Sequence, residues 1–581
     1  MHDLVIRSGL VVDGTGDTPR RTDIAITDGC IAAVGDDLGP SRETIDAGGL
    51  LVTPGFVDVH THLDGQVIWD SVLAPLVWHG VTTAIVGNCG VGFAPARPKD
   101  YDYLIDLMAA VEDIPAESLQ AGLSWDWESF PDYMEAVDRG RRTLDIAAMI
   151  THGAVRRYVM GARANEKPTA EELAQMCAIV RQAVAAGAVG LSTSRTMLHT
   201  SSDGAPLPGT YADEDELVAL ACAVREAGGD RGVLEVSPAG TTVPEPTSLL
   251  EDVEMLIRIA RASGCRVIFS MLQSNFEPAA YTTILARVEQ AHAQGVPIHP
   301  EVGSRPVATL LGLQGHFNPF SSLPAYAEIA SLRSADRIAR LAEPAMRARI
   351  LDEWRAGSAD SGLGWIHPVF ASTGFWNDVF PMGVPLNYYP GAGESIRSLA
   401  DQVGGDPAAI AYDAMMADEG KGFLIFTVVN WADRNRDALR SMIHHPGSIM
   451  GLGDAGAHVM AVADASGPTT FLAGWVRDAD PGQGYHLSIE RAVQKLTSEP
   501  AEMFGLRDRG AIRPGLRADL NLIDLAALHA ETPELVNDLP LGHSRLDQKA
   551  RGYVATLVAG IVTQRNGVLT GDHPGRFARG S

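Results

Sequence analysis

The segment TPGFVDVHTHLDG, residues 53–65, joins a β-rich run to two histidines, His60 and His62. Residues i and i+2 of a strand lie on the same face, so both imidazoles are expected on one side of the strand end. Two neutral imidazoles that share a face are suited to binding one metal ion. The segment therefore predicts a strand whose end carries part of a metal site.

Beyond this segment, apolar β-branched runs alternate with stretches of helical periodicity, which is typical of parallel β/α units. Nine such runs occur, at residues 57–63, 82–90, 146–153, 188–194, 232–237, 266–273, 297–303, 423–430 and 448–456. A closed (β/α)₈ barrel needs eight strands. Residues 304–445 are too many for one crossover, so they are interpreted as an insertion of helices and loops in which 423–430 is the extra strand.

The two chain ends share a different rhythm of short β-rich runs and turn residues. Neither end has enough strands to enclose a core by itself. We therefore expect residues 1–56 and 506–581 to form one small β-sandwich beside a barrel that spans residues 57–505. The predicted fold class is α/β.

Composition limits the classes of partner. Asp and Glu number 72 against 46 Lys and Arg, a formal net charge of −26 that repels phosphate backbones. No apolar run approaches the roughly 18 residues of a membrane span, and the five cysteines show no CxxC spacing. The sequence predicts a cytoplasmic protein that acts on a small molecule and binds neither nucleic acid nor membrane. It leaves a homo-oligomer open.

A third candidate ligand, Asp454, lies where the apolar strand within SIMGLGDAG, residues 448–456, stops at Gly-Asp. In a β/α barrel the carboxyl ends of the strands hold the reacting groups, so Asp454 is expected to face the same metal as His60 and His62. The alternative role is a helix N-cap.

Several segments then occur in a characteristic order: VTPGFVDVHTHLDG, HGVTTAIVGNCGVGFAP, GLGDAGAHV and LTSEPAEMFGLRDRGAIRPGLRADLNLID. Through them the chain resembles the amidohydrolase superfamily and, within it, the N-acyl-D-amino-acid deacylases. The resemblance implies a distorted (β/α)₈ barrel, a sandwich built from both termini, and metal-assisted hydrolysis of an amide. It implies that His60, His62 and Asp454 bind metal and that Cys89, in GNCG, is a further ligand. A small buried apolar side chain is the alternative role for Cys89.

The chain also departs from this pattern. The deacylases carry metal-binding histidines on their fifth and sixth strands, where this sequence has Ser237 and Met271, and no lysine lies on a predicted barrel strand to bridge two ions. We therefore expect one zinc ion rather than two. Glu235, two residues before Ser237, is a candidate replacement ligand, and its alternatives are to support a ligand or to contact substrate.

The candidate substrate-binding residues are His152, Arg195, Gln273 and His458. A hydrogen-bonded structural role is the alternative for His152, a solvated loop for Arg195, and a ligand-orienting or helix-capping role for His458. Gln273 stands where the deacylases have the lysine that binds the substrate carboxylate, and Arg195 and Arg305 are candidates to replace that lysine.

The predicted function is a metal-dependent hydrolase that cleaves the amide bond of a small N-acyl compound. Asp454 would take the proton of the attacking water and return it to the leaving amine. Two alternatives stay open at this point: hydrolysis of an ester or lactone, and a non-catalytic scaffold that has lost part of its metal site.

Overall fold

A computed structural model of the chain describes residues 1–242, 244–315, 317–357, 374–383 and 385–580. Residues 358–373, part of the predicted insertion, lie outside the described residues. Within the described ranges, none of the helices has both the length and the apolar character that a bilayer crossing needs.

The N-terminal part of the chain forms five strands: β1 His2–Val11, β2 Arg20–Thr27, β3 Cys30–Gly35, β4 Ser41–Asp46 and β5 Leu51–Pro54. β1 pairs with β2 in antiparallel fashion and with β4 and β5 in parallel fashion. The other edge of β5 pairs with a strand from the C-terminal part of the chain.

Eight parallel strands follow in the barrel: β6 Phe56–Asp58, β7 Val81–Val86, β8 Asp145–Thr151, β9 Gly190–Ser194, β10 Val233–Ser237, β11 Arg266–Ser270, β12 Ile298–Val302 and β16 Ile449–Met450. The first and last meet through a parallel bridge between Thr61 and Ala455, in which the His62 amide donates to the Ala455 carbonyl at 2.7 Å. β7 and β8 are buried along their whole length, as expected for strands covered on both faces. The predicted (β/α)₈ barrel is confirmed.

Between β12 and β16 the chain leaves the barrel. Three strands, β13 Val307–Gly312, β14 Val379–Pro381 and β15 Phe423–Val429, form a separate antiparallel sheet in the order β13, β15, β14. The extra strand expected at 423–430 is β15, and it lies outside the barrel. The described part of this region also has its own buried core, which includes Phe320, Tyr412 and Leu424.

The C-terminal part contains β17 Leu520–Ile523, β18 His529–Ala530, β19 Glu534–Val536, β20 Arg545–Asp547, β21 Ala550–Arg551, β22 Tyr553–Val558, β23 Ile561–Arg565 and β24 Val568–Leu569. β17 pairs antiparallel with β5, so strands from both ends join in one nine-stranded sheet. One apolar core unites Leu4, Ile24 and Val52 from the first end with Leu522 and Leu557 from the second. The expected union of the two chain ends in one β-rich unit is confirmed, and its boundaries at residues 56 and 506 stay a prediction.

The described helices around the barrel are Gln66–Trp69, Tyr101–Glu112, Ala116–Gly122, Phe130–Arg139, His152–Met160, Ala170–Ala185, Glu214–Gly228, Leu249–Ser263, Ala280–Ala293, Asp437–His444, Gly467–Phe471, Ile489–Leu496 and Ser498–Met503. Those of the inserted region are Pro324–Ala327, Ser334–Leu341, Pro344–Arg355, Ile396–Val403 and Pro407–Gly420. Capping boxes start three of the barrel helices. At one of them, the Thr169 hydroxyl accepts from the Glu172 amide while the Glu172 carboxylate accepts from the Thr169 amide.

A buried ion-pair group fixes the terminal domain to the barrel. Asp145, at the start of β8, is fully buried and accepts from Arg509 at 2.7 Å and from Arg517 at 2.9 Å. The same carboxylate accepts from the Arg576 amide at 2.8 Å. One barrel side chain therefore contacts two separate segments of the C-terminal part.

Replacing Asp145 by Ala should destabilise the fold strongly, because two buried guanidinium groups would lose a buried carboxylate and keep only Asp508 and Asp519 as acidic partners. Loss of one partner of a buried pair costs about 3–5 kcal/mol of unfolding free energy. Asp413→Ala is the matched control: Asp413 pairs with Arg347 at 2.7 Å, but the pair is exposed and its loss should cost less than about 1 kcal/mol. Denaturant unfolding of both variants measures the difference, and equal costs would contradict the assigned role.

Candidate active site

Four predicted ligands lie at the carboxyl ends of three barrel strands. His60 and His62 follow β6, Cys89 follows β7, and Asp454 follows β16. Cys89 and Asp454 have backbone φ angles of 53° and 43°, which lie in the left-handed region. The chain therefore turns at both residues just after the strands end. All four line a cavity of about 230 Å³. The barrel therefore gathers them at the floor of one pocket.

Donor atoms of His60, His62 and Cys89 lie within 4.8 Å of one another, and Asp454, which is outside that group, approaches the two histidines. His60 Nε2 lies 3.3 Å from Cys89 Sγ and 3.5 Å from Asp454 Oδ1, and His62 Nε2 lies 3.8 Å from the same Asp454 oxygen. Ligands about 2.0–2.3 Å from a tetrahedral zinc ion are about 3.3–3.8 Å from one another. The donor set of two imidazoles, a thiol and a carboxylate is also one that zinc prefers.

Each histidine presents its other ring nitrogen to a buried carboxylate. His60 Nδ1 lies 3.0 Å from Glu301 Oε2, and His62 Nδ1 lies 3.0 Å from Glu112 Oε1. Glu301 is on β12, and Glu112 is the last residue of the helix Tyr101–Glu112. A carboxylate behind a metal-binding histidine fixes the ring orientation and makes the facing nitrogen a stronger ligand. Both Nε2 atoms are thereby directed at the cluster.

The electrostatics of this cluster favour a cation. Burial lowers the pKa of His60, but Glu301 and Cys89 outweigh burial and raise it well above its usual value. Burial likewise raises the pKa of Glu112, yet the contact with His62 lowers it to about 2. The carboxylates thus favour the protonated imidazoles, and a metal ion that binds the Nε2 atoms would displace the Nε2 protons and leave each Nδ1 proton facing its carboxylate.

Glu235, on β10, lies beneath the cluster and does not line the cavity. Its Oε2 accepts from the Cys89 amide at 3.0 Å, whereas its Oε1 is buried without a hydrogen-bond partner among the described residues. Burial raises its pKa to about 7. Donor atoms of Glu235, His60 and Glu301 lie within 4.8 Å of one another. Its unpartnered oxygen is consistent with the predicted ligand role, which stays a prediction.

The predicted substrate contacts divide into two groups. His458 lines the cavity, and its Nδ1 lies 3.1 Å from Asp113 Oδ2. His152 does not line it: the ring is fully buried between the Thr193 hydroxyl and the Glu216 carboxylate, each at 2.9 Å. This is the structural arrangement that the sequence left open for His152.

Arg195 and Gln273 also lie outside the cavity lining. Arg195 donates to Asp252 at 2.7 Å, and Gln273 donates to Asp433 at 2.6 Å. Arg305, the other candidate for binding a carboxylate, donates to Asp464 at 2.7 Å. These polar groups are engaged in contacts within the protein.

The two positions that lack the deacylases' histidines differ in placement. Ser237 lines the cavity, whereas Met271 is fully buried in the main core and its neighbours Ser270 and Leu272 line the cavity instead. Among the described residues, both groups able to hold a metal include His60. The donors therefore gather around His60, with Glu235 as the contribution of the fifth strand and none from the sixth among the described residues.

Sequence reasoning missed Glu301 and Glu112. Glu301 lies near the carboxyl end of the run PIHPEVG, so the rule that selected Asp454 could also have selected Glu301. Glu112 ends a helix of ordinary composition, and its contact with His62 is created only by the fold. No local pattern could have identified it.

Comparison with known proteins identifies the family. A model of the amidohydrolase family matches residues 43–564. The chain belongs to the amidohydrolase family. It is accordingly a hydrolase that acts on carbon–nitrogen bonds other than peptide bonds.

Relatives of this amidohydrolase match it over most of their length. An uncharacterized protein of Mycobacterium bovis is 31% identical over 98% of the chain and 93% of its own length. The N-acyl-D-glutamate deacylase of Alcaligenes xylosoxydans xylosoxydans is 27% identical over 90% of the chain and 87% of its own length. The crystal structure of N-acyl-D-glutamate deacylase from Bordetella bronchiseptica, complexed with zinc and a phosphonate inhibitor, has a TM-score of 0.65 at 24% identity and covers 100% of the chain and 99% of its own. This last likeness supports the fold.

Glu301→Gln should weaken zinc binding about 10–100-fold, because the neutral amide holds the His60 ring less strongly in its ligating orientation. Glu112→Gln should do the same through His62. Competition with a chromophoric chelator measures the affinity directly, without reference to activity. Glu135→Gln, at an exposed position on the helix Phe130–Arg139, is the control and should leave affinity unchanged. Parental affinity in both buried variants would contradict the supporting role.

Proposed function

We propose that this amidohydrolase cleaves the amide bond of a small N-acyl compound with one bound divalent metal ion, zinc being the best match. The observation that carries the proposal is the grouping of donor atoms of His60, His62 and Cys89 within 4.8 Å of one another at the cavity, with the Asp454 carboxylate 3.5 Å from His60 and 3.8 Å from His62. When bound there, zinc supplies a Lewis acid that lowers the pKa of water toward neutrality and polarises the acyl carbonyl.

Asp454 is suited to move the proton. Its side chain is 23% exposed to the cavity, whereas those of His60 and His62 are 2% and 4% exposed. With Oδ1 facing the metal ligands, the other oxygen of the Asp454 carboxylate takes a proton from the attacking water and returns it to the leaving amine nitrogen, acting as general base and then as general acid. His60 and His62, held from behind by Glu301 and Glu112, keep the donor set in place during both transfers.

A single ion is proposed because Ser237 and Met271 occupy the positions of two ligand histidines. The family assignment argues against the two alternatives that the sequence left open. A scaffold without activity would not need to keep four converging ligands, and the family's carbon–nitrogen chemistry favours an amide over an ester or lactone.

Asp454→Asn should leave zinc largely bound and lower turnover about 10²–10⁴-fold, since it keeps an oxygen donor but removes the proton acceptor. The double variant His60→Ala with His62→Ala should lose metal and activity together. Metal analysis and initial rates on the same preparations separate the two cases. Near-parental turnover in Asp454→Asn would end its assignment as the proton carrier.

The metal content itself is a further prediction. After dialysis against excess zinc and removal of the free ion, mass spectrometry of the metal should find about one zinc per chain, because Cys89, His60, His62 and Asp454 provide ligands for one ion only. Two tightly held ions per chain would contradict the single-ion site. Cys89→Ala tests the same point, since it should reduce the zinc content while Cys30→Ala, at an exposed cysteine, should not.

A further inference from the structure

The cavity above the proposed metal site contains no lysine or arginine among its described lining residues. None of the residues outside the described ranges is a lysine or an arginine either. The position of every permanently charged cation of the chain is therefore known, and none of them lines this cavity.

In contrast to lysine and arginine, acidic residues do line this cavity. Glu112, Asp113 and Asp454 all line the cavity. Burial lowers the pKa of His199 to about 4, and its Nδ1 bonds to the Ser194 hydroxyl at 2.8 Å, so it is neutral at pH 7. His458 faces Asp113 at 3.1 Å, which balances any charge on that ring. An anionic group of a substrate would find no uncompensated cation among these side chains.

The charge of the metal ion does not reverse this conclusion. A divalent ion held by Cys89 as thiolate and by Asp454 as carboxylate is neutralised by its own ligands. The arginines nearest in sequence to the lining, Arg195 and Arg305, are committed to Asp252 and Asp464 at 2.7 Å each. Freeing either one would leave a buried carboxylate unpaired.

The rest of the described cavity wall combines seven Ser and Thr residues with a larger number of apolar residues. One part comes from the inserted sheet and its surroundings, through Val307, Val428 and Phe317. Apolar residues on other elements complete the wall: Val111, Leu198, Leu272, Ala461 and Val462. At about 230 Å³ the cavity is smaller than the roughly 300–1,000 Å³ of pockets for drug-sized ligands.

We propose that the substrate of this amidohydrolase is a small neutral N-acyl compound, with an apolar group and no free carboxylate beside the scissile amide. This inference rests on the proposed function and narrows its substrate class. It separates this chain from its relative named for N-acyl-D-glutamate, a substrate that carries carboxylates. A carboxylate taken into this cavity would lose its hydration without gaining a cationic partner.

The test compares substrates that differ only in charge. N-acetyl-D-leucine and N-acetyl-D-leucinamide have nearly the same shape, but the second carries a neutral amide in place of the carboxylate; the L forms cover the other stereochemistry. Acetate release by the zinc-loaded enzyme reports cleavage of the N-acyl bond alone. We expect kcat/KM to be at least about 100-fold higher for the leucinamide, as for sites that leave a buried polar group unpaired. Equal or faster cleavage of the carboxylate form would overturn the proposal.

Binding to the zinc-loaded Asp454→Asn variant, measured by calorimetry, separates this inference from the proposed function. If no substrate releases acetate, amide hydrolysis fails as the function, and binding decides the substrate class by itself. Tighter binding of the leucinamide by at least tenfold supports the neutral class. Equal or tighter binding of the carboxylate form, or binding of neither, overturns it. The variant removes one negative charge from the cavity, so this comparison is biased against the proposal.

A second test introduces a cationic side chain into the cavity wall and asks whether carboxylate substrates are then accepted. Leu272→Arg places a guanidinium at a half-buried position of the cavity wall and should raise the carboxylate-to-amide ratio of kcat/KM at least tenfold. Phe276→Arg adds the same charge four residues later, at a side chain that is 59% exposed and does not line the cavity, and should leave the ratio unchanged. An unchanged ratio in Leu272→Arg would contradict the lack of a cation as the cause of selectivity.

Discussion

The active site depends on one backbone contact, the parallel bridge between Thr61 and Ala455. The last barrel strand, β16, has only two residues, and its ladder with β12 ends at Met450. The hydrogen bond from the His62 amide to the Ala455 carbonyl then joins the first strand end to the last. This contact places Asp454 next to His60 and His62, although about 390 residues separate them along the chain.

Support for the metal ligands comes from elements that are far apart in sequence. Glu301 reaches His60 from the seventh barrel strand, and Glu112 reaches His62 from the end of a helix. Since each carboxylate is buried and lies 3.0 Å from a ring nitrogen, rotation of either imidazole would leave a buried negative charge without its partner. The site is therefore rigid for the same reason that it attracts a cation: negative groups surround it in a region of low dielectric.

Much of this arrangement could be predicted from the sequence. The alternation of β and α runs identified the barrel, and the rule that reacting groups lie at strand ends selected His60, His62 and Asp454. Family resemblance contributed Cys89. What the sequence could not supply were contacts that exist only after folding, such as the approach of Glu112 to His62. For the same reason the sequence could not show that His152, Arg195 and Gln273 have hydrogen-bond partners inside the protein, because those partners are far away along the chain.

The terminal domain has a consequence for how the chain is made. β5 leaves the ribosome early, but its partner β17 follows roughly 470 residues later, about 25 to 95 s at 5–20 residues per second. Throughout that interval the edge of β5 has no native strand beside it, and an unpaired edge is a template for association with other chains. Correct assembly in the cell therefore depends on shielding the nascent N-terminal strands until synthesis is nearly complete.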